Sequence, residues 1–336
     1  MIPEDQQIKM PADAPTVILI PIFNDWPAAV LLLKKIDTRM AEHHRRVSVL
    51  FVDDGSTENA ENCFSNLAFE SIKSVDVLVL KRNLGHQRAI AAGLAYSAEN
   101  MPCKTLVIMD GDGEDDPSDI PTFLKHLEKD RKSLIVFAER TRRTEGTFFR
   151  FCYLSYRILH FVLTGVRVRV GNFSAVRGSA VKKLVILSEL WNHYSAAVFV
   201  SKLPFATVPA CRARRLDGNS KMNFQDLVIH GLRALSVFAE TITVRFLVFS
   251  GSALALLGLF IIALALKGIF AESASTSVCT TAGMLIVALL QGFAVTTVIA
   301  FLLISGRSYS HFIPCRDYGN FVDSCRRLYE AANDTE

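Results

Sequence analysis

Over roughly the first 240 residues, short continuous apolar runs alternate with stretches whose apolar positions recur at helical spacing. Thr16–Pro21 (TVILIP), Val47–Val52 (VSVLFV), Val75–Leu80 (VDVLVL), Thr105–Met109 (TLVIM) and Leu134–Ala138 (LIVFA) are rich in β-branched residues and are predicted to be buried strands. Ala28–Met40 and the Ala-rich Arg88–Glu99 read as helices. Buried strands separated by helices predict an α/β domain with a mainly parallel sheet. Such sheets bind ligands beyond the carboxyl ends of their strands. Polar clusters stand at four of those ends: Asn24-Asp25, Asp53-Asp54, Arg82-Asn83 and Asp110-Gly111-Asp112.

The pattern then changes. Phe246–Leu266 and Val278–Ser305 contain no charged residue, and each exceeds the roughly 20 residues a helix needs to cross a bilayer core. Two such runs in succession predict a transmembrane helical hairpin. Two further segments read as interfacial or core helices: 148–163, aromatic and apolar with interspersed Arg150, Arg157 and His160, and 224–241, with Leu227, Val228, Leu232, Leu235 and Phe238 on one face. The expected organisation is a catalytic-type domain over 1–223, a juxtamembrane amphipathic helix over 224–241, the hairpin over 242–306 and a C-terminal tail over 307–336.

Charge sets the expected orientation. Arg233 and Arg245 precede the first span and Arg307, Arg316, Arg326 and Arg327 follow the second, whereas the connection offers Lys267 against Glu272. The positive-inside rule places the N-terminal region and the tail in the cytosol. The opening stretch MIPEDQQIKMPADAP lacks the apolar segment of a signal peptide. The seven cysteines are scattered without CxxC spacing, which disfavours a disulfide framework or a zinc site. A net charge of +4 is too mild to imply nucleic acid and suits an anionic membrane surface.

The chemistry-bearing residues are concentrated in three places. Asp110-Gly111-Asp112-Gly113-Glu114-Asp115-Asp116-Pro117 follows a strand. Alternating carboxylates there suit Mg²⁺ or Mn²⁺ shared with substrate phosphates, or they form a solvated turn before a helix; the residues alone leave both open. Asp53-Asp54-Gly55-Ser56 makes a good turn or offers carboxylates to a nucleobase or ribose. Neither a P-loop nor a Rossmann glycine fingerprint occurs, so phosphates would be neutralised by a metal and not by a glycine cradle. Third, Arg212-Ala213-Arg214-Arg215-Leu216-Asp217-Gly218-Asn219-Ser220-Lys221 is either a basic flank of the membrane helix or a loop whose cations close over phosphates.

Val52-Asp53-Asp54-Gly55-Ser56, Arg82-Asn83-Leu84-Gly85, Asp110–Pro117 and Arg215–Lys221, in this order, resemble family-2 glycosyltransferases of the GT-A fold. The nearest branch is similar to polyprenyl-phosphate glycosyltransferases such as bactoprenol glucosyltransferases and dolichyl-phosphate mannose synthase. The resemblance runs from about Thr16 through the second span. It implies an α/β GT-A nucleotide-sugar-binding domain followed by interfacial helices and a two-helix transmembrane hairpin. It also implies inverting transfer of a sugar, by default from a UDP-sugar and alternatively from GDP-mannose, to polyprenyl phosphate at the cytosolic face. Pro21, Phe23, Asp25, Asp53, Asp54, Asn83 and Gly111 are then the nucleotide-side candidates. Asp110, Asp112 and Glu114 would hold Mg²⁺ or Mn²⁺. Asn172, Arg215, Ser220 and Lys221 would serve the acceptor and phosphates, with Asp112, Arg215 and Lys221 as the catalytic set.

Two departures from that pattern carry chemistry. Glu114 stands where relatives usually have Gln, adding charge beside the metal. Asn172 stands where many have Asp, and an amide cannot act as a general base. A phosphate monoester, with a second pKa near ~6, is already largely an oxyanion at neutral pH, so the amide suits a phosphate acceptor better than a hydroxyl. Two alternatives differ in product. A processive polysaccharide synthase would carry a Gln-x-x-Arg-Trp motif, which neither Trp26 nor Trp191 completes; an inactive membrane scaffold would yield none.

Overall fold

The computed structural model describes residues 15–58, 61–64, 67–140, 147–167, 170–210, 213–216, 224–266, 276–306 and 312–331. In chain order the elements are β1 (Thr16–Ile22), α1 (Trp26–Glu42), β2 (Val47–Asp53), α2 (Glu61–Phe64), β3 (Ile72–Leu80), α3 (His86–Asn100), β4 (Thr105–Ile108), α4 (Ile120–Lys129), β5 (Ile135–Arg140), α5 (Thr147–Thr164), β6 (Val170–Arg177), α6 (Gly178–Leu184), α7 (Tyr194–Ser201), β7 (Phe205–Ala210), α8 (Phe224–Ser236), α9 (Ala239–Leu266), α10 (Thr276–Gly306), α11 (Pro314–Asp317) and β8 (Val322–Glu330).

The chain divides into two units. The first comprises 1–153, 168–237 and 312–336, the second 154–167 and 238–311. Among the described residues the first unit holds one eight-stranded sheet in the order β7-β5-β6-β4-β1-β2-β3-β8. The central β4-β1-β2-β3 set is parallel. β6 runs antiparallel to β4 and β5, β7 is parallel to β5, and β8 closes the other edge antiparallel to β3. β2 is buried at every position, because helices cover both faces and no solvent-side alternation is needed. In α1 the buried Ala29, Leu32, Leu33, Ile36 and Met40 fall on one stripe at three- and four-residue spacing. β1 lies between β2 and β4, so the connections depart in opposite directions from it. That reversal opens a crevice at the carboxyl ends of β1 and β4, the usual ligand position in such sheets.

The five strands expected from apolar runs are β1 to β5, and β6, β7 and β8 add to them. These three carry little apolar signal. β7 is half-exposed with Pro209 on a sheet edge, and β8 (VDSCRRLYE) is largely exposed. The 312–331 segment, expected as part of a tail, therefore supplies a strand of the α/β unit.

The helix expected over 224–241 is broken. α8 ends at Ser236, and α9 begins afresh at Ala239 and runs to Leu266. α9 and α10, of 28 and 31 residues, pack on each other. Ala239–Ala263 and Gly283–Leu302 are long and apolar enough to cross a membrane; 6% of the most apolar window of the first is buried and none of the second. A soluble core helix would be enclosed; these expose Phe249, Leu256, Met284 and Phe301, as a membrane-crossing pair does. α5 also exposes Leu154, Ile158, Leu159 and Val162. Within the second unit its C-terminal end is held by Arg245, whose Nη1 donates to the Val162 carbonyl at 2.7 Å.

Candidate active site

The loops after β2 and β3 are interlocked. Asp54, almost fully buried, accepts from the backbone amides of Leu84 (2.6 Å) and Gly85 (2.8 Å). Burial pushes its carboxyl above the ordinary range, against the pull of those two amides. Asp53 accepts from the Ser56 amide at 2.8 Å and closes its own turn. Gly55 has φ +76°, and a Cβ there would lie 2.7 Å from the Asn83 nitrogen. Both conformation and space therefore require glycine. Asn24 ties the β1 end to the same turn: its Oδ1 accepts from the Thr57 backbone amide at 2.9 Å and its backbone N–H donates to Ser56 Oγ at 2.9 Å.

The acidic turn after β4 is held from within. Asp115 accepts from the Asp110 amide (3.0 Å), and Asp112 Oδ1 accepts from the Glu114 amide (3.0 Å). The segment 213–216 docks along it, with the Ala213 amide on the Glu114 carbonyl (2.9 Å) and the Leu216 amide on the Asp112 carbonyl (3.0 Å). Leu216 fills the space over Gly113, whose φ is +78° and where a Cβ would collide with the Leu216 side chain. This docking delivers Arg215 into the crevice. Its Nη2 lies 3.0 Å from Asp25 Oδ2 and its Nη1 3.4 Å from Asp112 Oδ2. Three separated parts of the chain thus meet at the ends of β1 and β4. Burial, then Asp110 and Glu114, raise the Asp112 carboxyl despite the Glu114 amide and Arg215.

Asp110 faces a histidine. His86, the first residue of α3, places Nε2 3.2 Å from Asp110 Oδ1. Desolvation opposes its charged form, but Asp110, with Asp115 and Asp112 behind it, outweighs that and raises its pKa. A polar network adjoins the imidazole: the Tyr194 amide donates to Gln87 Oε1 (2.8 Å), Gln87 Nε2 donates to Asn172 Oδ1 (3.2 Å), and Asn172 Nδ2 lies 3.0 Å from His86 Nε2, to which it donates only while that nitrogen is unprotonated. Beyond it His193, the N-cap of α7, pairs with His230 of α8, Nε2 to Nε2 at 3.3 Å. His230 is held below its ordinary pKa by burial first, then by His86 and Arg233.

The sequence-derived candidates fall into distinct places. Asp25, Asp112 and Arg215 converge; Asp110 and Glu114 adjoin them on the same turn. Gly111 lies against the Pro21 carbonyl, and Pro21 itself is buried inside β1 opposite Val52. Phe23 and Asn83 are exposed on the rim. Asp53 and Asp54 direct their carboxylates to backbone amides, and Asn172 joins the network beside His86. Ser220 and Lys221 lie outside the described residues. Sequence reasoning missed His86 and Gln87. The polar run His86-Gln87-Arg88 directly after Gly85 was the available signal, since polar residues opening an otherwise Ala-rich buried helix have no packing reason to be there.

The sequence profile of Glycosyl transferase family 2 matches residues 17–185. Dodecaprenyl-phosphate galacturonate synthase of Rhizobium johnstonii is 29% identical over 182 residues, 52% of this chain and 51% of that protein. The chain thus spans about half the length of that relative. Undecaprenyl-phosphate 4-deoxy-4-formamido-L-arabinose transferase of Klebsiella pneumoniae is 25% identical over 247 residues, 72% of each chain. Among solved structures, glucosyl-3-phosphoglycerate synthase from Mycobacterium tuberculosis, in complex with Mn²⁺, UDP-glucose and phosphoglyceric acid, superposes with a TM-score of 0.51 at 13% identity, covering 69% of this chain and 80% of that one. The sheet and its helices are of the GT-A kind.

Proposed function

The chain belongs to glycosyl transferase family 2, and on that premise we propose that it moves one sugar from a nucleoside diphosphate sugar, by default a UDP-sugar, onto polyprenyl phosphate at the cytosolic membrane face. The observation that carries this reading is Arg215 bridging Asp25 and Asp112 in the β1–β4 crevice. A cation and two carboxylates from distant parts of the chain, gathered where GT-A folds open, suit a diphosphate with its counter-ion. The relatives' names supply the acceptor class.

The donor set fits a divalent cation. Asp110, Asp112 and Glu114 offer hard oxygens, and the His86 imidazole and the Arg215 guanidinium rest on the first two of them. Among the described residues no three His, Cys, Asp or Glu side chains are grouped as a complete ligand set, so donor phosphates would complete the shell, as is usual for Mg²⁺ sites. Mg²⁺ or Mn²⁺ would stabilise charge developing on the leaving diphosphate. Arg215 would turn from Asp112 to the same oxygens, a bidentate donor in a partly dry crevice. Asp25 and the exposed Phe23 suit the nucleoside. The acceptor phosphate, already an oxyanion, attacks the anomeric carbon from the opposite side and inverts it, so no residue is needed to remove a proton.

Membrane sidedness has two supports. β8 pairs with β3 in one sheet, so the segments before α9 and after α10 share one compartment and the hairpin enters and leaves by the same face. The basic flanks assign that face to the cytosol.

The test is turnover by purified protein in lipid nanodiscs with UDP-sugars and GDP-mannose, Mg²⁺ or Mn²⁺, and polyprenyl phosphate. A lipid carrying one sugar, abolished by Asp112→Asn in a folded protein, is expected. A long polymer points instead to a synthase, and no product across the panel would defeat the reading.

A further inference from the structure

Arg215 accounts for one anion. A second basic group lies in the α/β unit on the other side of His86. Arg82 opens the loop that Asp54 and Gly55 hold in place, Arg88 follows on the first turn of α3, and Arg233 approaches from α8. Arg233 Nη1 comes within 3.3 Å of where a Cβ on Gly85 would sit, so its guanidinium rests on this loop. Among the described residues no carboxylate forms an ion pair with any of the three. Arg88 lies over the Trp191 ring at 5.6 Å, which keeps its guanidinium plane supported on an aromatic face.

We propose that Arg82, Arg88 and Arg233 form the subsite for the phosphate monoester headgroup of the lipid acceptor, distinct from the donor-diphosphate position at Arg215. Burial first, then the like charges of Arg233 and Arg82, lower the Arg88 pKa. The location is also right for a lipid. Arg233 stands shortly before Val237, where the chain leaves the α/β unit, and Phe312, where it returns, packs at a tilt on Trp191 with ring centroids 4.0 Å apart. Both passages of the chain toward the apolar helices therefore flank the cluster. His86, two residues before Arg88 on the first turn of α3, places Nε2 3.2 Å from Asp110 Oδ1, so a phosphate held here borders the proposed metal carboxylates. Two anionic substrates would approach one centre from separate basic groups, which offsets their mutual repulsion and fixes their relative orientation.

The inference rests on the acceptor reading above, and the experiment separates the two. Full-length protein in neutral nanodiscs is titrated with farnesyl phosphate, and separately with UDP or GDP in the presence of Mn²⁺. Arg88→Gln and Arg233→Gln are each expected to weaken farnesyl phosphate binding about ten-fold, the size of one charged hydrogen bond. Nucleotide affinity should hold within about two-fold, and Arg88→Lys and Arg233→Lys should recover part of the loss. Retained nucleotide binding doubles as the control for folding. Undiminished farnesyl phosphate affinity in the double Gln variant would overturn the subsite alone. Wild-type protein that binds nucleotide but no farnesyl phosphate would overturn the acceptor reading and the subsite together. If the variants lose only attachment to phosphatidylglycerol vesicles, the cluster is a bulk phospholipid contact and the assignment fails.

Discussion

Arg215 Nη1 lies 3.4 Å from Asp112 Oδ2, the carboxylate proposed for the metal. The pairing is partly buried, so the guanidinium sits where a diphosphate and its counter-ion would meet the carboxylate. Arg215→Ala should lower kcat/KM for the nucleotide sugar by about 10²-fold, the usual order for losing one preorganised cationic donor. Thermal unfolding should move little, because the 213–216 docking relies on backbone bonds and Leu216. Arg215→Lys should fall between the two. Unchanged kinetics would remove this segment from the mechanism.

Asp54 is a structural linchpin in spite of its place in a motif with functional resemblance. Asp54→Ala leaves the Leu84 and Gly85 amides without their acceptor, at about 2–4 kcal/mol for the pair. The expected result is a clear fall in Tm by calorimetry, together with weaker nucleotide binding as the loop bearing Asn83 loosens. Asp54→Asn, which keeps one acceptor oxygen, should lose less. A variant with wild-type Tm would refute the linkage.

Asp119 offers a pH signature. Burial, and then Asp116, push its carboxyl to about 6. Its folded pKa is above the unfolded value of 3.8, so the folded state binds the proton more tightly. Its contribution is favourable below pH 3.8 and is lost progressively as pH rises toward 6. Asp119→Asn should therefore raise Tm by about 2–4 °C at pH 8, a figure reduced for partial solvent access, with no gain near pH 3.5. A gain independent of pH would point to another cause.

Removing the residues after Arg307 should damage the whole α/β unit. The loss of β8 bares the edge of β3 and leaves the buried Asp76 without Arg327, whose Nε lies 2.8 Å away. An exposed edge of that length invites association. Size-exclusion chromatography in detergent should show aggregated protein. A monodisperse product with unaltered Tm would contradict the role assigned to β8.

Continuous apolar runs made β1 to β5 legible from the chain, because a strand covered on both faces must be apolar throughout. The same logic revealed the two long helices, and the polar residues at strand ends marked the crevice. β6, β7 and β8 were not legible. Edge and half-exposed strands such as FATVPA and VDSCRRLYE owe their conformation to neighbours, through backbone bonds that any side chain permits.

Local sequence thus determined the α/β layering, the apolar hairpin and which motifs bear charge, since each depends on near neighbours or on uninterrupted hydrophobicity. Tertiary structure alone decided which charges meet. Asp54 turned inward to two amides while Asp112 stayed in the crevice, although both sit in acidic turns after strands. Arg215 reached Asp25 across 190 residues, and Arg233 came to rest beside Gly85. Coulomb attraction and hydrogen bonding act over a few ångströms, and those distances exist only after the sheet has brought its strand ends together.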